Sequence, residues 1–228
     1  GCIAHGEDEV TDSLYGFFGP RTRTSQGSSL NQGGDTIATE DKKIALLKQS
    51  IDDAPLIWKG DYPYFIHPLT DGVPRQDAEL LAAARDLVMQ RVEWEDIDII
   101  LGIEAMGLPL AAALSLASGK PLVVGRKRRY GLPGEYAINQ STGYSKGEIF
   151  LNDIGKGDRI LLVDDVVSTG GTLEPILRAI SALGATVADC WVIFDKDDGL
   201  QRLRDLFTCP LNSLLKISII DGNAVVVD

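Results

Sequence analysis

Two rhythms of apolar residues alternate along this chain from residue 44 onward. Ile44, Leu47 and Ile51 recur at helical spacing, as do Leu80, Leu81, Ala84, Leu87 and Val88. Leu110, Ala113, Leu114 and Ala117 repeat the pattern, and so do Leu173, Ile176, Leu177, Ile180 and Leu183. Each set lines one face of a helix. Short apolar runs separate them at 97–101, 121–125, 160–163, 186–194 and 214–220, with a briefer one at 56–58. Runs of that length, apolar at successive positions, suit strands buried on both faces. A short helix is expected over 200–207. Strand and helix in alternation predict an α/β fold with a doubly wound, mainly parallel sheet.

Three stretches break the rhythm. Residues 1–40 show no periodicity to bury, and 25–34 are rich in Ser, Gly, Gln and Asn, so they read as a disordered extension. The folded domain is then expected over 41–228. Residues 62–70 are aromatic and stiffened by Pro63 and Pro68. Their rings suit stacking on a flat heterocycle or, equally, the packing of a small hood. Residues 130–147 are polar and glycine-rich, and a loop that long within a compact domain is usually a lid or disordered.

Composition narrows the class. Of 228 residues, 44% are hydrophobic and 24% charged, as in ordinary soluble domains. A net charge of −11 argues against a nucleic-acid partner bound through a basic face. No apolar run is long enough to span a membrane. Cys2, Cys190 and Cys209 lack metal-ligand spacing, which fits a reducing cytoplasm. His5 and His67 are the only histidines, which argues against a histidine-built metal site, and His67 reads as structural.

The candidate chemistry centres on residues 159–172. A buried strand leads to Asp164 and Asp165, then to the turn Ser168, Thr169, Gly170, Gly171, Thr172, then to a helix. Pro175 is tolerated only in a first helical turn, so that helix opens near Gly171 or Thr172. Its free N–H groups and partial positive charge suit a phosphate. The two acids, at the carboxyl end of a strand, suit sugar hydroxyls or a bridging Mg²⁺. The turn therefore fits a sugar phosphate. Walker A and Rossmann spacings are both absent. A second strand–tight turn–helix occurs at Gly102-Ile-Glu-Ala-Met-Gly107, and four successive cations, 126–129, follow the strand at 121–125.

Val163-Asp-Asp-Val-Val-Ser-Thr-Gly-Gly-Thr172 resembles the signature of type I phosphoribosyltransferases, which bind 5-phosphoribosyl 1-pyrophosphate (PRPP). Tyr62-Pro-Tyr-Phe-Ile-His-Pro-Leu-Thr-Asp-Gly72, Glu104-Ala-Met-Gly107, Arg126-Lys-Arg-Arg-Tyr-Gly-Leu-Pro-Gly-Glu135 and Thr142-Gly-Tyr-Ser-Lys-Gly147 resemble archaeal hypoxanthine/guanine members. The resemblance covers about residues 42–222.

It implies the type I fold, with a hood and a flexible lid loop. It also implies a cytoplasmic homodimer that uses Mg²⁺ and transfers phosphoribose from PRPP to a purine base, releasing pyrophosphate. Asp164 and Asp165 would hold the ribose diol and lie near the metal, indirectly, through PRPP or water. Ser168, Thr169, Gly170, Gly171 and Thr172 would hold the 5′-phosphate. Glu104, Ala105, Met106, Gly107, Arg126 and Lys127 would face pyrophosphate.

Tyr144 matches the tyrosine of the adenine-type lid. Gly143 replaces that lid's glutamate, which leaves Glu135 as a candidate substitute. Phe65, Phe194, Asp195 and Lys196 are the base-site candidates. Ser168 stands where many 6-oxopurine enzymes carry aspartate, as in adenine enzymes, whereas Lys196 matches the lysine that donates to a 6-oxo group. Hypoxanthine/guanine is the expected base, adenine the alternative, and a non-catalytic PRPP sensor a third reading.

Overall fold

The computed structural model of the chain describes residues 36–52, 54–60, 62–141 and 146–227. The expected extension over 1–40 lies mostly outside them, as does Tyr144. Helix α1 (Thr36–Asp52) leads into a hairpin of β1 (Leu56–Lys59) and β2 (Tyr62–Phe65), followed by the single turn α2 (Pro68–Asp71). Then come α3 (Ala78–Met89), β3 (Ile99–Ile103), α4 (Gly107–Ser118) and β4 (Leu122–Gly125). A two-stranded ribbon follows, β5 (Tyr136–Ser141) and β6 (Lys146–Leu151). The chain ends with β7 (Arg159–Val167), α5 (Leu173–Ala182), β8 (Thr186–Lys196), α6 (Gly199–Arg204), β9 (Asn212–Ile220) and β10 (Asn223–Val227).

The main sheet has six strands in the order β10-β9-β8-β7-β3-β4. All neighbours are parallel except β9 and β10. Alternate residues of its central strands feed two cores. Ile100, Leu161, Val163, Trp191 and Ile193 face α1, α3 and α4 on one side. Leu101, Ile103, Ile160, Leu162, Cys190 and Val192 face α5, α6 and the ribbon on the other. The period of two explains why apolar runs, rather than alternation, mark these strands: both faces are covered.

The structure departs from the pattern-based expectation in three places. Helix α1 opens at Thr36, ahead of Ile44, so the 40/41 boundary falls inside a helix; the compact unit runs Asp35–Asp228. Residues 39–43 of α1 are all polar, so apolar spacing registers the helix only from Ile44. Strand β10 was not expected. It returns from β9 through Asp221 and Gly222, both left-handed (φ 50° and 75°), the two-residue turn that closes tight hairpins. Third, part of the segment expected as a loop over 130–147 is paired: 136–141 and 146–147 belong to the ribbon. Ile138 pairs with Ile149, and both are buried; β5 is otherwise mostly polar, and the buried residues of β6, Ile149, Phe150 and Leu151, all follow residue 147. Among the described residues of 130–147 only Ile138 is a buried apolar residue, too little periodicity to detect. Among the described residues no helix is long and apolar enough to cross a membrane.

Candidate active site

The chain leaves β3 toward β4 on one side and returns as β7 on the other. The connections after β3 and β7 therefore part, and a crevice opens at the carboxyl ends of the strands, where such sheets bind ligands. A cavity of about 410 Å³ occupies it.

Asp164 and Asp165 line the cavity, within the last four residues of β7. Asp164 is 6% exposed, and its Oδ1 accepts from Asp165 N–H at 2.9 Å. Helix α4 starts hard against them: a Cβ on Gly107 would stand 2.9 Å from Val163 O and 3.0 Å from Asp164 Oδ1. Glycine at 107 is thus required by the packing beneath the acids. Burial pushes the Asp164 carboxyl up to about 6, with the Asp165 hydrogen bonds and the Lys127 charge opposing. Burial, then the Asp164 charge, raises Asp165 well above the usual carboxylate range. Such a pair can hold a proton between them, so it can donate to as well as accept from a diol.

Residues 168–172 form the far wall. Gly170 is left-handed (φ 77°), and its carbonyl accepts from Glu174 N–H at 2.9 Å, which turns the chain into α5. Thr172 caps α5 without a side-chain cap bond; its hydroxyl instead donates to Gln140 Oε1 at 2.9 Å. That bond ties the β5–β6 ribbon to the loop. From the hood, Tyr62 OH donates to Ser168 Oγ at 3.1 Å.

The β3 connection supplies the opposite wall. Glu104, Ala105 and Met106 line the cavity, and the Glu104–Ala105 peptide is cis. Glu104 Oε2 accepts from Lys127 N–H at 2.7 Å, which places Lys127 at the rim. Arg126 is not brought to the cavity. Its guanidinium turns inward between Glu135 Oε2 (2.8 Å) and Asn152 Oδ1, with Tyr130 stacked at 4.6 Å. The sequence expectation that 126 and 127 act together thus separates, because consecutive residues leaving a strand point to opposite sides.

Glu135 likewise does not line the cavity. It accepts from Arg126, Tyr130 N–H (3.0 Å) and Gly131 N–H (2.9 Å). Burial works against its charge, yet these donors hold its carboxyl below the ordinary range. It organises the 126–135 connection.

On the hood side, Lys196 and Phe65 reach the cavity. Lys196 is buried; its Nζ donates to Pro63 O at 2.6 Å and lies 4.2 Å from the Tyr62 ring centroid. Phe194 and Asp195 sit behind the wall. Phe194 is fully buried, edge-on to Phe65 at 5.5 Å and to His67 at 4.9 Å. Asp195 Oδ1 accepts from Leu200 N–H at 3.0 Å, and burial raises its carboxyl. Residues 194 and 196 are two apart on β8; the long Lys196 side chain ends against Pro63 and Tyr62 at the cavity, whereas the Phe194 ring is enclosed by Phe65 and His67.

His67 is structural. Its Nδ1 accepts from Leu69 N–H (3.1 Å), and Nε2 lies 2.9 Å from Ser50 Oγ, whose hydroxyl donates to Leu47 O. Nε2 therefore carries the proton, and burial lowers the ring to about 4.

Sequence reasoning missed Tyr62, Asp71 and Gln140 as named cavity residues. Asp71 accepts from Tyr64 OH, His67 N–H and Thr70 OH, which fixes the hood turn. The aromatic stretch pointed to Tyr62 in outline. Nothing local marks Gln140, a polar residue in a polar segment.

Among the described residues no three potential ligands cluster around a metal position. The paired acids suit a Mg²⁺ that takes one or two carboxylates and draws its other ligands from substrate phosphates and water.

Residues 76–221 match the phosphoribosyl transferase domain. The chain is 53% identical over 160 residues to a hypoxanthine/guanine phosphoribosyltransferase of Methanohalophilus mahii, covering 70% of this chain and 84% of that protein. It is 48% identical over 182 residues to one of Ferroglobus placidus, covering 80% and 96%. Among solved structures, an adenine phosphoribosyltransferase of Rhodothermus marinus superposes with a TM-score of 0.62 at 25% identity, covering 77% of this chain and 99% of that one. The Trypanosoma brucei adenine enzyme, solved with AMP, pyrophosphate and ribose-5-phosphate, superposes with a TM-score of 0.63 at 19% identity, covering 76% and 79%; it shares the fold.

Proposed function

This chain belongs to the phosphoribosyltransferase family, and from that premise we propose that it is a purine salvage enzyme converting hypoxanthine or guanine and PRPP into IMP or GMP and pyrophosphate. The relatives it matches over most of its length carry that name. The observation that carries the base assignment is Lys196. Its buried ammonium, reaching the cavity beside Tyr62, has donors and no acceptor. It suits the 6-oxo group of hypoxanthine and guanine and leaves the 6-amino group of adenine unmatched. Adenine remains the second reading because Ser168 occupies the position where aspartate is usual in 6-oxopurine enzymes.

In the transfer, the bond from ribose C1 to the pyrophosphate oxygen breaks and a bond to a purine nitrogen forms, with loss of that nitrogen's proton. The 168–172 loop grips the 5′-phosphate through backbone N–H groups and hydroxyls. Asp164 and Asp165 orient the ribose diol, holding C1 in line between the two walls. Glu104, Ala105, Met106 and Lys127 face the leaving group, where the Lys127 ammonium offsets developing negative charge. Mg²⁺, when bound, would supply further charge neutralisation at the pyrophosphate. The β5–β6 ribbon, tied to Thr172 through Gln140, covers the centre and excludes water. Tyr144 belongs to the same segment, and Phe65 forms the apolar wall of the base site. Assembly into a homodimer is part of this reading and is checked by sedimentation.

Pyrophosphate release by purified protein with PRPP and Mg²⁺ tests it, with adenine, hypoxanthine, guanine and xanthine supplied singly. Release with hypoxanthine or guanine is expected. Release with adenine alone would move Lys196 out of base recognition. PRPP binding without release on any base would make the protein a sensor.

A further inference from the structure

We propose that Arg202 is a positioning residue for the 168–172 loop, holding the peptide that presents Thr169 N–H to the substrate's 5′-phosphate. The inference rests on the reading of that loop as the phosphate site. Arg202 lies on the exposed face of α6 and does not line the cavity. Its Nη1 donates to Ser168 O at 2.6 Å and its Nη2 to Asp197 O at 3.0 Å. The two acceptors belong to different connections. Ser168 follows β7, and Asp197 follows β8 directly after Lys196. A guanidinium offers these donors in a rigid planar fork, which an ammonium cannot reproduce. One side chain thus fixes the phosphate loop relative to the strand end that carries Lys196.

The Ser168 carbonyl matters because a peptide group is planar. In a trans peptide the C=O and the following N–H point to opposite sides. Holding Ser168 O on Arg202 therefore aims Thr169 N–H away from α6, and Thr169 lines the cavity. Two features keep the brace in register. Gly199 opens α6 against the same carbonyl: a Cβ there would stand 2.5 Å from Ser168 O and 2.9 Å from its carbon. Asp197 and Asp198 are both left-handed (φ 54° and 58°), a conformation uncommon for residues other than glycine. Asp197 N–H donates to Ile217 O at 3.0 Å, and Lys216 Nζ reaches Asp198 Oδ1 at 3.4 Å. Such turns persist where surrounding contacts over-determine them. This one delivers the second acceptor of Arg202 and the close approach of Gly199.

Ribose 5-phosphate is titrated calorimetrically into the wild-type protein, Arg202→Met, Arg202→Lys and Gly199→Ala, with a melting curve for each and KM for PRPP and for base. Arg202→Met is expected to weaken ribose 5-phosphate binding and raise KM for PRPP about tenfold, with KM for base changed less than about twofold. Arg202→Lys should lose part of that, and Gly199→Ala should reproduce the effect without touching the arginine. A lowered melting temperature with unchanged affinity in Arg202→Met overturns the inference and leaves Arg202 a brace for stability alone. If Arg202→Met fails to fold, Arg202→Lys decides, and wild-type affinity there overturns the inference. Wild-type protein that does not bind ribose 5-phosphate at all overturns the phosphate-loop reading and this inference with it.

Discussion

At the scale of single residues, charge and burial set the site's behaviour. Asp164→Asn together with Asp165→Asn is expected to lower kcat/KM by at least about 100-fold, because a diol loses the carboxyl pair that orients it in the step where geometry counts most. The same double variant should melt no lower than wild type at neutral pH. Burial raises both acids, so they favour the fold only while protonated, and that contribution is lost as pH rises from the ordinary carboxylate range through about 6 for Asp164. A circular-dichroism melt at pH 7.5 beside the kinetic assay checks both halves. Lys196→Met should reduce kcat/KM for hypoxanthine by about 100-fold or more, since the 6-oxo group is left without its donor; equal losses with adenine would count against a specific contact.

His67 gives a prediction of opposite sign. Its ring is lowered from 6.5 to about 4, so the unfolded chain takes up its proton first, and stability is lost as pH falls through that window. The linkage amounts to roughly 3 kcal/mol. His67→Gln should be less stable than wild type at pH 7, and the gap should narrow toward pH 4 in urea titrations.

At the scale of elements, the β5–β6 ribbon joins packing to chemistry. Ile138 and Ile149 anchor it in the core beneath α5, and Gln140 ties it to Thr172. Ile138→Ala should cost about 2–4 kcal/mol by chemical denaturation. Gln140→Ala should leave stability nearly unchanged but raise PRPP hydrolysis relative to base transfer, as measured by comparing pyrophosphate and nucleotide yields. The ribbon was not legible in the sequence because β5 is mostly polar around Ile138 and the apolar run of β6, Ile149 to Leu151, is only three residues long. The strand–acid–glycine–helix unit at 159–182 was legible, because Pro175, the paired glycines and the periodic Leu and Ile residues each restrict the same local geometry.

At the scale of the molecule, the fold places two connections from distant parts of the sequence across one crevice. The compact unit begins at Asp35, so a chain starting there is expected to keep its melting temperature and its transfer rate within about twofold. Loss of either would give the preceding residues a role in the domain.

The sequence by itself determined the strand and helix alternation, the doubly wound class, the glycine- and hydroxyl-rich turn at 168–172 and the position of the acids before it. These depend on residues within a few positions of one another, whose apolar spacing and turn preferences act locally. Only the tertiary structure decided which members of each motif face the cavity. It turned Arg126 onto Glu135 and Asn152 while leaving Lys127 at the rim, and it buried Phe194 and Asp195 behind a wall that Lys196 clears. It also brought Tyr62, Gln140 and Arg202 to Ser168 and Thr172 from far along the chain. Side-chain direction and long-range contact follow from strand order and helix packing, which no local pattern of residues encodes.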